Sequence, residues 1–417
     1  MSVDRFEVVI AGAGMTGATL ALALAQAGVE VAVVDALAAE VQAAPEFDGR
    51  ASAVAYGNLR QWRALGVAAA LEPWAQPIRS ILVSDGAAPG AASRARGPAF
   101  LAFDSAEIAD RNGGEPLAWM IENRRIRAAL NGALSEAGVA LFAPVGVDRV
   151  EVGPGEATVR LADGRSLAAP VVVGAEGRTS KVREAAGVRG FGWRYPQDGV
   201  VATVALERPH EGVAHQLFMG SSALAILPLT DDRASLVWAE PRAVAAALVG
   251  GSPEAFEAHL SRRFGDALGR PRLAGPRFSY PLSLSVAERV VAARCALIGD
   301  AAHLIHPIAG QGLNLGLKDA AALAEVLVDA RRLGEDLGSV AVLERYARWR
   351  RLDVAAMAAA TDVFNRLFTP GGALARGLRA ATMTAMNRAA PLRRLFMLEA
   401  GGDLGELPRL LRGEPLI

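Results

Sequence analysis

The chain has 417 residues, 52% of them hydrophobic, and its 44 basic side chains balance 44 acidic ones. This length suits two lobes, or one lobe with a large insertion, and the neutral balance argues against a nucleic-acid-binding domain, which would be strongly basic. Cys295 is the single cysteine, which excludes disulfides within the chain and thiolate metal sites and favours a reducing compartment.

The N-terminal sequence MSVDRFEVVIAGAG has acidic residues where a signal peptide needs a basic region. No stretch of about 20 residues is apolar enough to span a bilayer. We therefore expect a cytoplasmic protein, with attachment to the inner face of the membrane as the alternative.

Residues 6–36 have the pattern of a strand–helix–strand unit. The apolar run 8–11 predicts a buried strand, residues 16–27 predict an amphipathic helix, and a second apolar run ends at Asp35. Asp35 lies about twenty residues after the first strand, where an acid can accept hydrogen bonds from ribose hydroxyls.

Three glycines between the first strand and the helix form G-x-G-x-x-G. Gly12 permits a tight turn, Gly14 lets the backbone approach a pyrophosphate, and Gly17 lets the helix pack closely on the strand. The N-terminus of the helix attracts phosphate charge. An ordinary strand–helix–strand unit would explain the glycines but not the position of Asp35, so we predict a dinucleotide site.

Residues 37–122 interrupt the alternation of strands and helices that a complete NAD(P) domain would show. The stretch FDGRASAVAYGNLRQWRALG predicts a loop followed by a helix, with Arg50 just before the helix. The Arg50 guanidinium is placed to reach a ligand phosphate or a substrate, or to lie in solvent, and the sequence leaves both open.

The middle of the chain changes character twice. Residues 123–143 predict a helix and a short strand, and three strand segments with hairpin signals follow, the last of them RSLAAPVVVG. From 187 to 282 polar and apolar residues alternate, which predicts a half-exposed antiparallel sheet that covers a ligand cleft, and 252–265 predict a helix. CALIGD at 295–300 returns to the buried-strand pattern.

The junction after that strand has a composition that a packed core does not need. It contains, in order, Asp300, His303, His306, Pro307, Gly310, Gln311, Gly312, Asn314 and Gly316. The chain has five histidines, and no cluster of carboxylates lies near His303 and His306 in the sequence. A metal ion bound by these two histidines would therefore lack further ligands. We interpret His303 and His306 as loop-packing groups and expect no metal.

Three motifs in this order resemble those of the class A flavoprotein monooxygenases, which have the fold of para-hydroxybenzoate hydroxylase. They are G-x-G-x-x-G at 12–17, GAEGRTSKVR at 174–183 and GDAAHLIHPIAGQGLNLGLKDAAAL at 299–323. The third is most similar to the ubiquinone-biosynthesis hydroxylases.

With the predicted elements, this resemblance implies an α/β fold with a Rossmann-like FAD-binding domain, an inserted antiparallel-sheet substrate domain and a helical C-terminal segment. The predicted boundaries are 1–75, 100–186 and 283–362 for the FAD-binding domain, 76–99 and 187–282 for the substrate domain, and 363–417 for the C-terminal segment.

The resemblance also implies roles for single residues. Those expected to hold FAD are Gly12, Gly14, Gly17, Asp35, Arg50, Arg124, Glu176, Asp300, Gly312, Leu313 and Asn314. Asp300 would accept hydrogen bonds from the ribityl chain, and the turn 310–314 would bring backbone N–H groups to the isoalloxazine ring. Arg50 and Arg124 match positions that contact the FAD phosphates or lie beside the flavin. Pro307, Gly310 and Gln311 would form the catalytic loop that faces the flavin, and no side-chain nucleophile is expected.

One residue departs from the family pattern. The second motif normally carries Asp-Gly, and here it is Glu176-Gly177, so the acid remains but is one methylene longer. In the family this motif helps to hold FAD and is implicated in the use of the nicotinamide cofactor. The departure therefore bears on NAD(P)H binding more than on the fold.

The implied reaction is the reduction of FAD by NAD(P)H, addition of O2 to give a flavin hydroperoxide, and transfer of one oxygen atom to the ring of a lipophilic polyprenylated phenol in ubiquinone synthesis. The alternatives are a hydroxylase of a soluble aromatic, an FAD-dependent prenyl-chain reductase, and a non-catalytic FAD-binding subunit of a biosynthetic complex.

The C-terminal stretch 363–398 has six arginines and no acidic residue. It predicts either helices packed on the FAD-binding domain with their arginines in solvent, or an amphipathic surface that meets anionic lipid or a partner subunit of a ubiquinone-synthesis complex. In the second case Arg376, Arg379, Arg393 and Arg394 would contact the lipid.

Overall fold

A computed structural model gives the fold of the chain. It describes residues 3–44, 48–85, 100–220, 222–264, 268–305, 310–368 and 373–417, and within these ranges the side chains at 100, 264, 360–361 and 363–380 are left out of the description.

The elements follow in chain order. The strands are β1 (Val3–Arg5), β2 (Val8–Ala11), β3 (Val31–Val34), β4 (Ala51–Ala55), β5 (Gln76–Ile78), β6 (Ser80–Asp85), β7 (Phe100–Asp104), β8 (Ala118–Glu122), β9 (Ala140–Phe142), β10 (Val147–Val152), β11 (Ala157–Leu161), β12 (Ser166–Ala169), β13 (Val171–Gly174), β14 (Gly190–Ala205), β15 (Val213–Met219), β16 (Ser222–Leu229), β17 (Arg233–Pro241), β18 (Arg272–Ala287), β19 (Val291–Ala292), β20 (Cys295–Leu297) and β21 (His303–Leu304). The helices are α1 (Met15–Gln26), α2 (Ala39–Ala43), α3 (Tyr56–Ala64), α4 (Ala68–Leu71), α5 (Ala109–Asn112), α6 (Asn123–Glu136), α7 (Lys181–Ala185), α8 (Arg242–Gly250), α9 (Pro253–Phe264), α10 (Gln311–Arg332), α11 (Val340–Phe368), α12 (Ala373–Arg388) and α13 (Ala390–Gly401).

A six-stranded sheet in the order β19-β20-β13-β2-β3-β9 carries the predicted nucleotide turn. Its strands are parallel except for the pair β19 and β20. Every residue of β2, β3 and β13 is buried, because the sheet is covered on both faces, and such strands have continuous apolar sequences.

Different layers cover the two faces of this sheet. Apolar residues of α1 and α10 form the core on one face, and the sheet β1-β12-β11-β10 packs on the other. Leu410, Leu411 and Leu416 are buried in the first of these cores. The end of the predicted C-terminal segment is therefore part of the core that supports α1 and α10.

The inserted sheet has eight strands in the order β21-β18-β14-β17-β16-β15-β6-β7, all antiparallel except for the pair β15 and β6. Strands β14 and β18 each have 16 residues. The apolar side chains of α8 and α9 cover part of one face. Together with the parallel sheet and the C-terminal helices, this sheet confirms the predicted fold class.

Several local predictions differ from the structure. RSLAAPVVVG, predicted as one strand, is divided at Pro170 into β12 and β13, which belong to different sheets, because proline has no N–H to continue a ladder. The segment before α3, predicted as a loop, contains β4. Pairing with β8 stabilises this strand, which its Ala–Ser sequence does not predict. The sequence also did not predict α8.

Two strands lie in other sheets than the predicted boundaries imply. Strand β7 follows residue 99 but pairs with β6 in the eight-stranded sheet, and β5 pairs with β8 in a separate three-stranded sheet, β4-β8-β5. No helix among the described residues combines the length and the apolar character needed to cross a bilayer.

Candidate functional site

Three distant turns meet at one edge of the six-stranded sheet. A Cβ added at Gly12 would lie 2.5 Å from the carbonyl oxygen of Ala175, so the first and second motifs are in direct backbone contact. A Cβ at Gly316 would lie 2.7 Å from the Thr16 hydroxyl and 3.1 Å from the Cα of Gly299, which brings α10 and the third motif against α1. The motifs that the sequence separates are therefore adjacent in the fold.

Glycine occupies the positions of the first turn for different structural reasons. Gly12 has a φ of +104°, a conformation that other residues rarely adopt. A Cβ at Gly17 would lie 2.0 Å from the Gly12 carbonyl oxygen, so only glycine fits there. A Cβ at Gly14 would meet no atom within 4 Å in the part of the chain that the structure describes. The free space at Gly14 lies at the start of α1, where a phosphate is expected.

The carboxylate of Asp35 has protein partners. Its Oδ2 accepts a hydrogen bond from the N–H of Ala13 at 2.7 Å, and its Oδ1 accepts one from the N–H of Leu37 at 2.8 Å. The acid therefore fixes the glycine turn itself, and its remaining lone pairs are those available to a ribose.

Helices α1 and α10 both begin at this edge without a side-chain cap, at Gly14 and Gly310 respectively. The first N–H groups of a helix have no partner within it. A Cβ added at Gly312, in the first turn of α10, would also meet no atom of the described residues within 4 Å. Two uncapped helix starts with open space beside them can bind a ligand that offers acceptors or negative charge.

Asp300 follows β20 and faces the same region. No hydrogen bond from the described residues reaches its carboxylate, and its side chain is exposed. Surrounding protein nevertheless desolvates it and raises the pKa of the Asp300 carboxyl, against the opposing charges of His303 and Arg50.

Asn314 has the opposite character. Its side chain is buried, and its Oδ1 accepts from the N–H of Ala55 at 2.9 Å and from Nδ2 of Asn58 at 2.9 Å. Its own Nδ2 donates to the carbonyl of Ala53 at 2.8 Å. The amide of Asn314 therefore ties α10 to β4 and α3, and only its backbone is left for a cofactor.

A buried cluster of charged residues, centred on Asp319, stabilises the turn that contains Asp300. Asp319 of α10 accepts from Nε2 of His303 at 2.5 Å, from the N–H of Gly299 at 3.0 Å and from Nε of Arg350 at 2.9 Å. Burial alone would raise the pKa of the Asp319 carboxyl, but His303 and Arg350 outweigh it and lower that pKa. His303 is thus a buried partner of a carboxylate, which agrees with the packing role predicted for it.

Arg50 is held by a residue that the sequence analysis did not single out. Asp48 is buried and accepts from Nε and Nη2 of Arg50, both at 2.8 Å, and from Nη2 of Arg127 at 2.8 Å. Burial opposes ionisation of Asp48, but the two arginines hold the pKa of its carboxyl far below the ordinary value. Arg50 itself lies 4.9 Å from the ring centroid of Tyr280.

The other predicted residues have protein partners or lie at the edge of the site. Glu176 accepts from Ser180 Oγ at 2.8 Å and from the N–H of Lys181 at 2.9 Å, so its carboxylate caps α7, and burial raises the pKa of that carboxyl. Arg124 donates to Glu122 at 3.0 Å. Gln311 and Leu313 are half-buried in the first turn of α10.

Pro307 and His306 lie outside the described residues. Within the described ranges, no three His, Cys, Asp or Glu residues are grouped closely enough to hold a metal ion.

Sequence reasoning missed Asp48, Asp319 and Thr16. Asp48 had one local signal, a carboxylate two residues before the arginine in FDGR, and Asp319 had another, an acid on the apolar side of a predicted helix. Thr16 had none, because its importance lies in its contact with Gly299 and Gly316.

This arrangement fits FAD. Among the described residues, it offers an uncapped helix start for a pyrophosphate, an acid beside it for a ribose, a carboxylate without a hydrogen-bond partner for a hydroxylated chain and a second uncapped helix start for a polar ring edge.

Comparison with known proteins agrees with this geometry. The sequence profile of the family described as FAD binding domain matches residues 5–361. A ubiquinone hydroxylase of Rhodospirillum rubrum is 42% identical over 414 residues, which are 98% of this chain and 93% of that protein. The 3-demethoxyubiquinol 3-hydroxylase of Escherichia coli is 33% identical over 401 residues, which are 95% of this chain and 98% of that protein.

Solved structures share the fold. The p-nitrophenol 4-monooxygenase of Pseudomonas putida has a TM-score of 0.78 at 20% identity and covers 97% of this chain and 100% of its own. HpxO of Klebsiella pneumoniae, complexed with FAD and uric acid, has a TM-score of 0.73 at 18% identity, with 94% of this chain and 97% of its own covered. The profile match and the two hydroxylases, which align over nearly the whole chain, confirm the resemblance that the motifs indicated: this protein belongs to the FAD-dependent aromatic monooxygenases, in the group of the ubiquinone hydroxylases.

Proposed function

We propose that this protein hydroxylates the aromatic ring of a polyprenylated phenol in ubiquinone synthesis, with FAD as cofactor, NAD(P)H as reductant and O2 as oxidant. The observation that carries the assignment of the site is the carboxylate of Asp300, which accepts no hydrogen bond from the described residues and lies beside the uncapped start of α10. The substrate class rests on the ubiquinone hydroxylases that are similar to this chain over nearly its whole length.

Different described residues bind different parts of FAD. The start of α1 at Gly14 receives the pyrophosphate, the free lone pairs of Asp35 receive a ribose, and Asp300 accepts from the ribityl chain. Backbone N–H groups from Gly310 to Asn314 face the ring, with Gln311, Gly312 and Leu313 between them. In this division the FAD-binding domain is built on the six-stranded sheet, and the eight-stranded sheet carries the substrate.

Bound FAD supplies the two-electron and oxygen chemistry. The chain supplies position and electrostatics: the uncapped N-terminus of α10 favours negative charge at the ring edge, and Asn314 keeps that helix start fixed against β4. Glu176 acts through α7, whose Arg183 donates to the carbonyl of Ala301 at 3.2 Å and so links the second motif to the Asp300 turn.

Apolar side chains line the side of the third motif that faces the eight-stranded sheet. Ile305 and Leu315, on either side of the flavin-facing loop, pack with Leu282 and Leu284 of β18 and with Val354 of α11. An apolar region beside the reacting ring suits a lipophilic phenol and keeps water away.

The test is turnover with defined substrates. The purified protein, loaded with FAD, is supplied with NAD(P)H, O2 and demethylated or demethoxylated prenylphenols, and the products are identified by mass spectrometry. We expect a product 16 mass units heavier than one of these phenols, together with substrate-dependent oxidation of NAD(P)H. Equal turnover of non-prenylated phenols would favour a hydroxylase of soluble aromatics.

We also infer a membrane-facing surface on α13. Leu392, Leu395 and Phe396 are 51%, 52% and 45% exposed at helical spacing. Arg393 and Arg394, which were expected to meet lipid, instead pair with Glu107 and Asp110, and the side chains of Arg376 and Arg379 lie outside the described residues. The apolar row of α13 is therefore the feature that favours a location at the inner face of the membrane.

Co-sedimentation with vesicles tests this surface. We expect the protein to bind lipid vesicles through the apolar row of α13, and a double change, Leu392→Ser with Leu395→Ser, should reduce this binding. Leu352→Ser on α11, a residue that is 78% exposed, is the control. An equal loss in the control variant would refute a specific role for α13.

A further inference from the structure

The eight-stranded sheet has one polar side chain at the end of an apolar row. Side chains alternate between the two faces of a strand, so the pairing register sorts them into rows across the sheet. One such row, here called the middle row, runs from β18 to β15 through Phe278, Val201, Val237, Ala225 and Gln216. It lies on the face opposite the one that α8 and α9 cover, because the alternate residues of β16 and β17 pack with these helices.

The rows on either side of the middle row show what it faces. On one side, Ala214 belongs to an apolar cluster that packs against Ala53 of β4. On the other side, Ala239 belongs to a cluster with Leu315 of α10. A Cβ added at Gly310 would lie 3.7 Å from the Cβ of Ala53, so both neighbouring rows border the start of α10. The middle row therefore lies opposite the turn that is expected to hold the flavin ring.

The middle row is enclosed, but apolar side chains do not fill the space in front of it. Val201 and Ala225 are 4% and 9% exposed. Neither they nor Val237 belong to any of the apolar clusters that the described residues form. Ser235, two residues before Val237 on the same face, is fully buried, and within the described part of the chain its hydroxyl has no hydrogen-bond partner. Because buried polar groups nearly always have a partner, we expect a ligand or bound water to complete this face.

Gln216 offers a polar group at the end of this space. It lies directly opposite Ala225 of β16 and Val83 of β6, and it is half-buried. The described residues form no hydrogen bond with its amide. Because the side chain of Ala225 ends at Cβ, the amide can extend over it toward Val237. Such an amide accepts a hydrogen bond from a phenol and donates one to an ether or carbonyl oxygen.

The side chains around this space are uncharged. No acid, lysine or arginine interrupts the middle row. The neighbouring row through Ala239, from Tyr280 to Phe218, has none either. Arg50 lies 4.9 Å from the centroid of the Tyr280 ring, at the opposite end of these rows from Gln216. A carboxylate on a ring bound beside Gln216 would therefore lose its water without gaining a cation, at a large cost in free energy.

We infer that Gln216 binds the oxygen substituent of the aromatic substrate, and that the middle row selects a ring without a carboxylate. The ring lies over Ala225 and Val237, with one face toward the sheet and the other toward the turn at 310–314. The amide fixes which side of the ring is presented to that turn. This inference rests on the proposed function, and it narrows the substrate class to neutral phenols and their ethers.

The experiment is calorimetric titration of the FAD-loaded protein, without NAD(P)H, with an ortho-prenylphenol and with prenylbenzene, which lacks the oxygen. The ratio of the two dissociation constants isolates the contact with the oxygen, because the apolar contacts are common to both ligands. Gln216→Leu, which removes the amide at similar size, should lower the preference for the phenol about 2- to 13-fold, the effect of one neutral hydrogen bond. Gln216→Ala should lower it by a similar factor.

Two further titrations separate recognition from damage. Gln26→Leu makes the same change at the exposed end of α1 and should leave the preference for the phenol unchanged. FAD content should equal that of the parent protein in all three variants. At pH 7 the parent should bind the para-carboxylated analogue of the phenol at least about 10-fold more weakly than the phenol itself, because its carboxylate is desolvated without a cation.

The inference is overturned if both Gln216 variants keep the preference of the parent for the phenol, if Gln26→Leu lowers it equally, or if the carboxylated analogue binds as tightly as the phenol. It is also overturned if the parent does not bind the phenol. These titrations involve no turnover, so a phenol that binds through Gln216 but is not hydroxylated would refute the proposed function and leave this inference standing.

Discussion

The two strand-to-helix turns of the FAD site have the same local signal, an acid at the end of a buried strand near a glycine-rich helix start, but differ in what the acid does. Asp35 accepts hydrogen bonds from Ala13 and Leu37 and stabilises its own turn. Asp300 accepts none from the described residues, and its turn is instead stabilised by Asp319, which accepts hydrogen bonds from Gly299 and His303. An acid in such a motif therefore shows its role only through its partners.

The largest expected effect tests the support of the second turn. Asp319→Ala leaves His303 and Arg350 buried without their shared carboxylate, and breaking a buried pair costs about 3–5 kcal/mol. We expect a loss of that size in the free energy of unfolding of the apo protein, measured with denaturant. Asp329→Ala, on the same helix but 48% exposed, should cost less than about 1 kcal/mol. Similar losses in both variants would show that the buried cluster does not support this turn.

The next prediction tests how tightly the first turn is packed. Gly17→Ala places a Cβ 2.0 Å from the Gly12 carbonyl oxygen, and overpacking against backbone should cost about 3 kcal/mol. Gly14→Ala, with free space at that position, should leave the apo protein as stable as the parent. Gly14→Val should also fold but should bind little FAD, because its side chain occupies the pyrophosphate space. Released flavin and thermal unfolding distinguish these outcomes, and normal flavin in Gly14→Val would contradict the assignment of the first turn.

A matched pair of acid variants tests the comparison directly. Asp300→Ala should weaken FAD binding by about 1.5–3 kcal/mol, a rise of about 10- to 150-fold in the dissociation constant, with no loss of apo stability. Asp35→Ala removes two hydrogen bonds from the turn itself, so it should lower both apo stability and FAD affinity. Flavin titration and apo unfolding measure the two quantities. If Asp300→Ala destabilises the apo protein as much as Asp35→Ala does, the two acids do not differ in the way proposed.

The smallest effect concerns the stability of the apo protein against pH. The pKa of Asp300 is raised in the folded state, chiefly by burial, so the folded state binds its proton more tightly than the unfolded state does. Ionised Asp300 therefore lowers stability above the folded-state pKa, and the penalty disappears as pH falls below the unfolded value. Asp300→Asn should slightly stabilise the apo protein at pH 7 and make no difference in strong acid, while weakening FAD binding. Unfolding curves at both pH values, without FAD, would show whether the sign is correct.

The sequence alone determined the family, the fold class and the motifs of the site. Two of the sequence patterns are local. A buried parallel strand has a continuous apolar sequence, and the spacing of Gly12, Gly14 and Gly17 follows from the geometry of one turn. The identity of FAD followed from the order of the three motifs along the chain, which the family comparison confirms. None of this required knowledge of distant contacts.

Only the tertiary structure decided how the individual side chains are used. Asp319 acquires its role from His303 and Arg350, and Arg50 lies against Tyr280, 230 positions away in the chain. The amide of Asn314 bonds to β4 and α3, more than 250 residues earlier. Hydrogen bonds and charge pairs act over a few ångströms in space, and local patterns carry no information about which distant residue will occupy that distance. The sequence could therefore place acids and arginines at the site. The packing of the sheets decided which of these side chains pair with other protein groups and which remain for a ligand.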